Sequence, residues 1–128
     1  IQPALFGPNT IDALTAPGGR LHATRRAVVE ACARSRFLTL VEPSGALYAF
    51  PGVDTTLLPG FDDHRFALEL LESEDVLLVP GSSFNVPYRT HFRLTLLPQA
   101  ELVDDVFARI ERALERASRA AHLQQAVA

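Results

Sequence analysis

No lysine occurs anywhere in this sequence; all 12 basic side chains among its 128 residues are arginines. Lysine Schiff-base chemistry is therefore excluded within these residues. Cys32 is the only cysteine, so no internal disulfide can form and nothing points to an oxidising compartment, which makes the cytoplasm the expected location. Methionine is absent and Ile1 stands first, as expected of a processed chain or an excised piece of a longer one. Long apolar runs are missing too. Val76 to Pro80 and Leu94 to Pro98 fall far short of the roughly 20 residues that a membrane helix needs, and no charged-then-apolar leader opens the sequence, so neither a membrane nor export is expected. Excess charge of one sign is lacking as well. The formal charge is only −3 and the arginines are scattered along the chain, which argues against a nucleic-acid partner.

What is present is a 48% hydrophobic composition interspersed with charges of both signs, the mark of a globular chain with a single core. Residues Ile1 to Ala16, broken by Pro3, Gly7, Pro8 and Asn9, are expected to form an irregular lead-in. Thr15 as a cap and Pro17 in a first turn then open a helix running to about Arg34, with Leu21, Val28, Val29 and Cys32 at helical spacing. Arg36 to Glu42 and Ala46 to Phe50, separated by Pro43-Ser44-Gly45, read as an antiparallel hairpin. Asp62 or Asp63 can cap a helix from His64 to Ser73 that buries Phe66, Leu68, Leu70 and Leu71. Val76 to Val79 is continuously apolar and reads as a strand buried on both faces. His91 to Leu97 alternates, with Phe92, Leu94 and Leu96 on one face and His91, Arg93 and Thr95 on the other.

Leu102, Val103, Val106, Phe107, Ile110, Leu114 and Ala117 trace the stripe of a final amphipathic helix, with acids in its first turn and a frayed tail expected from about Ala120. This order of elements predicts an α+β layer, a small sheet of about four strands with helices packed on one face.

Few residues suggest chemistry on their own. The four histidines fall on separate elements and Cys32 has no partner at ligand spacing, so no metal site is expected. Cys32 lies on an apolar stripe, where cysteine acts as a small hydrophobe. Asp62, Asp63 and His64 could be acid-base machinery, but their place at a helix start favours capping. Gly18-Gly19 could cradle an anion and Gly81-Ser82-Ser83 could line a pocket through their amides, although turns need the same residues. Arg93 is either a surface-strand arginine or a fixed guanidinium able to grip a carboxylate with two parallel hydrogen bonds.

The run Val76-Leu77-Leu78-Val79-Pro80-Gly81-Ser82-Ser83-Phe84, followed by His91-Phe92-Arg93-Leu94-Thr95-Leu96-Leu97-Pro98, resembles the end of the class I/II aminotransferases of pyridoxal-phosphate fold type I. Pro17-Gly18-Gly19-Arg20-Leu21 and the block from Pro43 to Pro51 look like matching blocks of the same region, and Phe84-Asn85-Val86-Pro87 is similar to the alanine aminotransferase-like branch.

The resemblance implies that residues 1–16 are a lead-in from a large domain absent here and that residues 17–128 are the small C-terminal domain. It implies a parent enzyme, dimeric in the family, that moves an amino group between an amino acid such as alanine or glutamate and a 2-oxo acid. By motif position Arg93 would bind the substrate α-carboxylate, with Phe84 and Asn85 lining the site. The catalytic lysine and the residues that hold pyridoxal phosphate belong to the family's large domain, so this chain would be inactive alone and would bind no cofactor covalently. A free-standing α+β regulatory or ligand-binding module is the competing expectation.

Overall fold

The computed structural model describes residues 10–127, the side chain of residue 125 excepted. Most of the expected lead-in, including Pro3, Gly7, Pro8 and Asn9, lies outside the described residues. The part within them is helical rather than irregular. Helix α1, Thr10–Thr15, has no proline or glycine to break it, and the Thr15 hydroxyl donates back to the Ile11 carbonyl at 2.8 Å instead of capping the next helix. Gly18, at φ 90, turns the chain, and Gly19 becomes the N-cap of helix α2, Arg20–Arg34. A side chain on Gly19 would collide with the Ala13 and Leu14 carbonyls, so this glycine pair is needed for the tight α1–α2 corner. Helix α2 buries Thr24, Val28, Ala31 and Cys32, while Leu21 and Val29 stay half-buried. Thr24 and Arg20 fasten its first turn to the far end of the sheet, donating to the Pro98 and Leu97 carbonyls at 2.8 and 2.9 Å.

The strands are short: β1 Leu38–Thr39, β2 Tyr48–Ala49, β3 Gly52–Val53, β4 Val79–Pro80 and β5 Phe92–Thr95. β1 pairs with β3, and β2 and β4 flank β5, all antiparallel. The expected hairpin between residues 36–42 and 46–50 does not form, because Leu38 faces Val53 while Ala49 faces Leu94. The reason is Phe50-Pro51. Proline has no N–H to donate, so the ladder breaks there. The chain resumes as β3 along the same neighbour, with the Val53 amide donating to Thr90 O at 2.8 Å and the Phe92 amide to Pro51 O at 3.1 Å. A bridge between Gly52 and His91 closes the gap, so β2 and β3 act as one interrupted strand within a four-strand layer.

Helix α3, Asp63–Glu74, is capped by Asp62, whose carboxylate accepts from the Arg65 amide at 3.0 Å. It buries Phe66, Ala67 and Leu70, but Leu68 and Leu71, expected in the buried stripe with Phe66 and Leu70, are exposed at 61% and 43%. Positions 66, 67, 70 and 74 share one face, with position 71 on its flank and position 68 on the far side. Val76 and Leu78 are buried whereas Leu77 is 78% exposed, so this segment alternates and is covered on one face only. Asp75, at φ 55, ends α3, and a short 3₁₀ turn, Gly81–Phe84, follows β4.

Helix α4, Ala100–Val127, continues past Ala120 instead of fraying; its expected stripe buries Val103, Phe107, Ile110 and Leu114, but leaves Leu102 53% exposed. Beneath its centre Glu74, 9% exposed, receives Arg112 at 2.7 Å and Arg116 at 2.7 Å, while Arg109 donates to the Glu74 carbonyl at 2.9 Å. These paired hydrogen bonds hold the Glu74 carboxyl below its ordinary value. Val28, Phe66, Leu70, Ile110 and Leu114 from the helices meet Leu38, Ala49, Val53, Phe92, Leu94 and Leu96 from the sheet in one core. The architecture is α+β, with helices on one face of the sheet. The opposite face is open and carries Thr39, Tyr48, Arg93 and Thr95.

Candidate carboxylate-binding site

Alternation along β5 aims Phe92, Leu94 and Leu96 into the core, which leaves Arg93 on the open face as its sequence pattern predicts. Across the ladder Tyr48 stands opposite Thr95, diagonal to Arg93 on the same face and within reach of its long side chain. The Arg93 guanidinium carbon lies 4.3 Å from the Tyr48 ring centroid and 4.5 Å from that of Phe84. Both distances are those of a cation resting on an aromatic quadrupole. Among the described residues no carboxylate forms an ion pair with Arg93, although eight such pairs occur elsewhere, six of them involving arginines of the two long helices α2 and α4. The half-buried guanidinium is oriented by flat rings while its donors find no partner among the described residues, as a site for a planar anion requires.

Phe84 reaches Arg93 from the end of the 3₁₀ turn, and its edge meets Phe50 at a centroid distance of 6.2 Å. Asn85 follows at φ 57, a left-handed conformation that asparagine tolerates, and is exposed. Of the three residues singled out in the sequence, the fold thus brings Phe84 onto Arg93, while Asn85 is tied to them only by its place next to Phe84 in the chain.

His91, two residues before Arg93, stacks on Phe50 at 5.2 Å and touches Tyr88 at 4.6 Å. Burial lowers its pKa, which favours the neutral ring. Gly52 and Gly81 are glycines because of this stack. A Cβ on Gly52 would come within 2.6 Å of His91 Nε2, and one on Gly81 within 2.7 Å of the His91 carbonyl. Tyr48 and the stacked pair Phe50–His91 escaped the sequence reading, although Tyr48 could have been found by pairing β2 with β5.

The aspartate pair at the start of α3 divides its roles. Only Asp62 caps; Asp63 is fully buried and accepts from the Ser82 amide at 2.7 Å and the Ser82 hydroxyl at 3.1 Å. His64 is exposed and does not join them.

The model of the family described as aminotransferase class I and II matches residues 6–110. The chain belongs to this family. More narrowly, it is 41% identical over 106 residues to the glutamate-pyruvate aminotransferase AlaA of Escherichia coli K12, an overlap of 83% of this chain and 25% of that protein. It is 40% identical over 112 residues to the alanine aminotransferase of Mycobacterium tuberculosis H37Rv, covering 88% of this chain and 25% of the other. The fold superposes on the crystal structure of an aminotransferase from Escherichia coli with a TM-score of 0.83 and 36% identity, over 89% of this chain and 28% of that one. An alanine aminotransferase from Pyrococcus furiosus superposes with a TM-score of 0.74 and 28% identity, again over 89% and 28%. The chain spans about a quarter of the length of the relatives it matches.

Proposed function

We propose that this chain is the small C-terminal domain, residues 17–128 with a lead-in at 1–16, of an aminotransferase that moves an amino group between alanine or glutamate and a 2-oxo acid. Arg93 receives the substrate α-carboxylate, and Phe84 and Asn85 line that end of the site. The observation that carries the reading is the guanidinium resting on Tyr48 and Phe84 with no acid paired to it among the described residues. An amino acid and a 2-oxo acid share the carboxylate, so one arginine serves both half-reactions.

Pyridoxal phosphate is the family's cofactor, but the residues here do not hold it. No lysine is available to its aldehyde, and every buried side-chain polar atom among the described residues already has a hydrogen-bond partner. This chain therefore supplies orientation, and its chemistry depends on the large domain and on a dimeric parent.

The reading is tested in the full-length protein by Arg93→Lys, which keeps a charge but loses the planar fork. A charge-assisted hydrogen bond contributes about 1.5–3 kcal/mol, so kcat/KM for alanine should decline roughly ten- to a hundredfold. Arg93→Ala should be worse. A primary amine without a carboxylate makes no such contact, and its slow reaction should be unchanged; a parallel decline, or none, would make Arg93 a structural strand residue. An upstream reading frame without a lysine-containing large domain would favour the free-standing module instead.

A further inference from the structure

The two consecutive aspartates at the start of α3 hold the two ends of one loop. Asp62, besides capping the helix, pairs with Arg89 at 3.1 Å. Asp63 points inward to Ser82, nineteen residues on, with one carboxylate oxygen on the amide and the other on the hydroxyl. Asp63 has no exposed surface, and among the described residues no cation is paired with it. A buried carboxylate without a counter-ion is costly, so the two Ser82 donors are what it is held for and by.

Ser82 is the second residue of the turn Gly81–Phe84, whose first residue is fixed by the Gly81 amide donating to His91 O at 2.8 Å. The last residue of that turn is Phe84, one of the two rings on which Arg93 rests. The chain of cause thus runs from Asp63 through Ser82 to Phe84 and from there to the guanidinium.

We propose that Asp63 is a positioning residue for the carboxylate site: through Ser82 it sets the turn that lays Phe84 against Arg93, and so holds the guanidinium in one orientation. The proposal rests on the assignment of Arg93 to the substrate carboxylate. With the turn released, Tyr48 alone would bear on Arg93, and the guanidinium would sample orientations that do not offer both donors at once. A carboxylate then binds more weakly because part of its contact energy goes into ordering the arginine.

The test compares Asp63→Ala, Asp63→Asn and Ser82→Ala in the full-length protein, alone and with Arg93→Lys, using alanine and a primary amine without a carboxylate as substrates. Asp63→Ala leaves the Ser82 amide without an acceptor and should lower kcat/KM for alanine about three- to tenfold, through KM, with the amine unchanged. Asparagine can accept from the Ser82 amide and donate to its hydroxyl, so Asp63→Asn should stay within roughly twofold of the parent. Ser82→Ala removes one of the two bonds, should fall between these and serves where Asp63→Ala does not fold. On the Arg93→Lys background, Asp63→Ala should add little, since both changes act on the same contact. Equal losses for Asp63→Ala and Asp63→Asn, parallel losses for alanine and the amine, or full additivity with Arg93→Lys would each overturn the proposal. If Arg93→Lys itself spares alanine, the assignment of Arg93 fails instead, and that outcome is read from the single variant.

Discussion

Gly81→Ala and Gly45→Ala make the same chemical change with opposite expected signs. At Gly81 an added methyl group would lie 2.7 Å from the His91 carbonyl oxygen and 2.9 Å from Phe50 Cζ. Neither neighbour yields easily, because that carbonyl accepts the Gly81 amide at 2.8 Å and the Phe50 ring is stacked on His91. Overpacking of this kind costs about 1–3 kcal/mol. At Gly45 nothing lies within 4 Å of the same methyl group and φ is not positive, so reduced freedom of the unfolded chain should stabilise by about 0.4–1 kcal/mol. Urea unfolding followed by circular dichroism reads both, and the midpoints should move in opposite directions at constant m-value. At roughly 3–5 °C per kcal/mol for a chain of this size, Gly81→Ala should also lower Tm by about 3–15 °C. Equal midpoints for the two variants would refute the steric reasoning, and a changed m-value would mean that the turn had rearranged to admit the methyl group.

Burial, with Glu111 adding repulsion, pushes the Cys32 thiol up to about 12, so it should resist a maleimide at pH 8 in the folded protein and react promptly in urea; equal rates would place it outside the core. The Glu74 carboxyl is held low by Arg112 and Arg116, so its contribution to stability is fully present above its ordinary value of 4.5 and is lost as pH falls through its lower folded value. In Glu74→Gln the acid limb of a stability-versus-pH curve should therefore be flatter than in the parent, and an unchanged limb would show that the arginines do not act through this carboxylate.

Where neighbours along the chain supply the cause, the sequence was legible. Alternation in residues 91–97 placed Arg93 on the polar face of a strand, and the order Asp62, Asp63, His64 announced a helix start that Asp62 does cap. What Asp63 does was not legible, since its partner Ser82 is brought to it only when α3 packs beside the turn after β4. The hairpin failed for a related reason. Two short strands and a Pro/Gly turn have no preference for each other beyond the local signal, and Pro51 together with the longer run of residues 90–96 took the partner away.

By itself, then, the sequence determined the α+β class, most of the helical cores, the absence of a lysine and the candidacy of Arg93, all properties of composition or of spacing within one element. Only the tertiary structure decided that Tyr48 and Phe84, 45 and nine residues away, would bear on that arginine, and that Asp63 would meet Ser82 in the turn that ends at Phe84. Pairing between strands and the burial of a carboxylate are settled by the whole core at once, because each is stable only when every element around it is already packed.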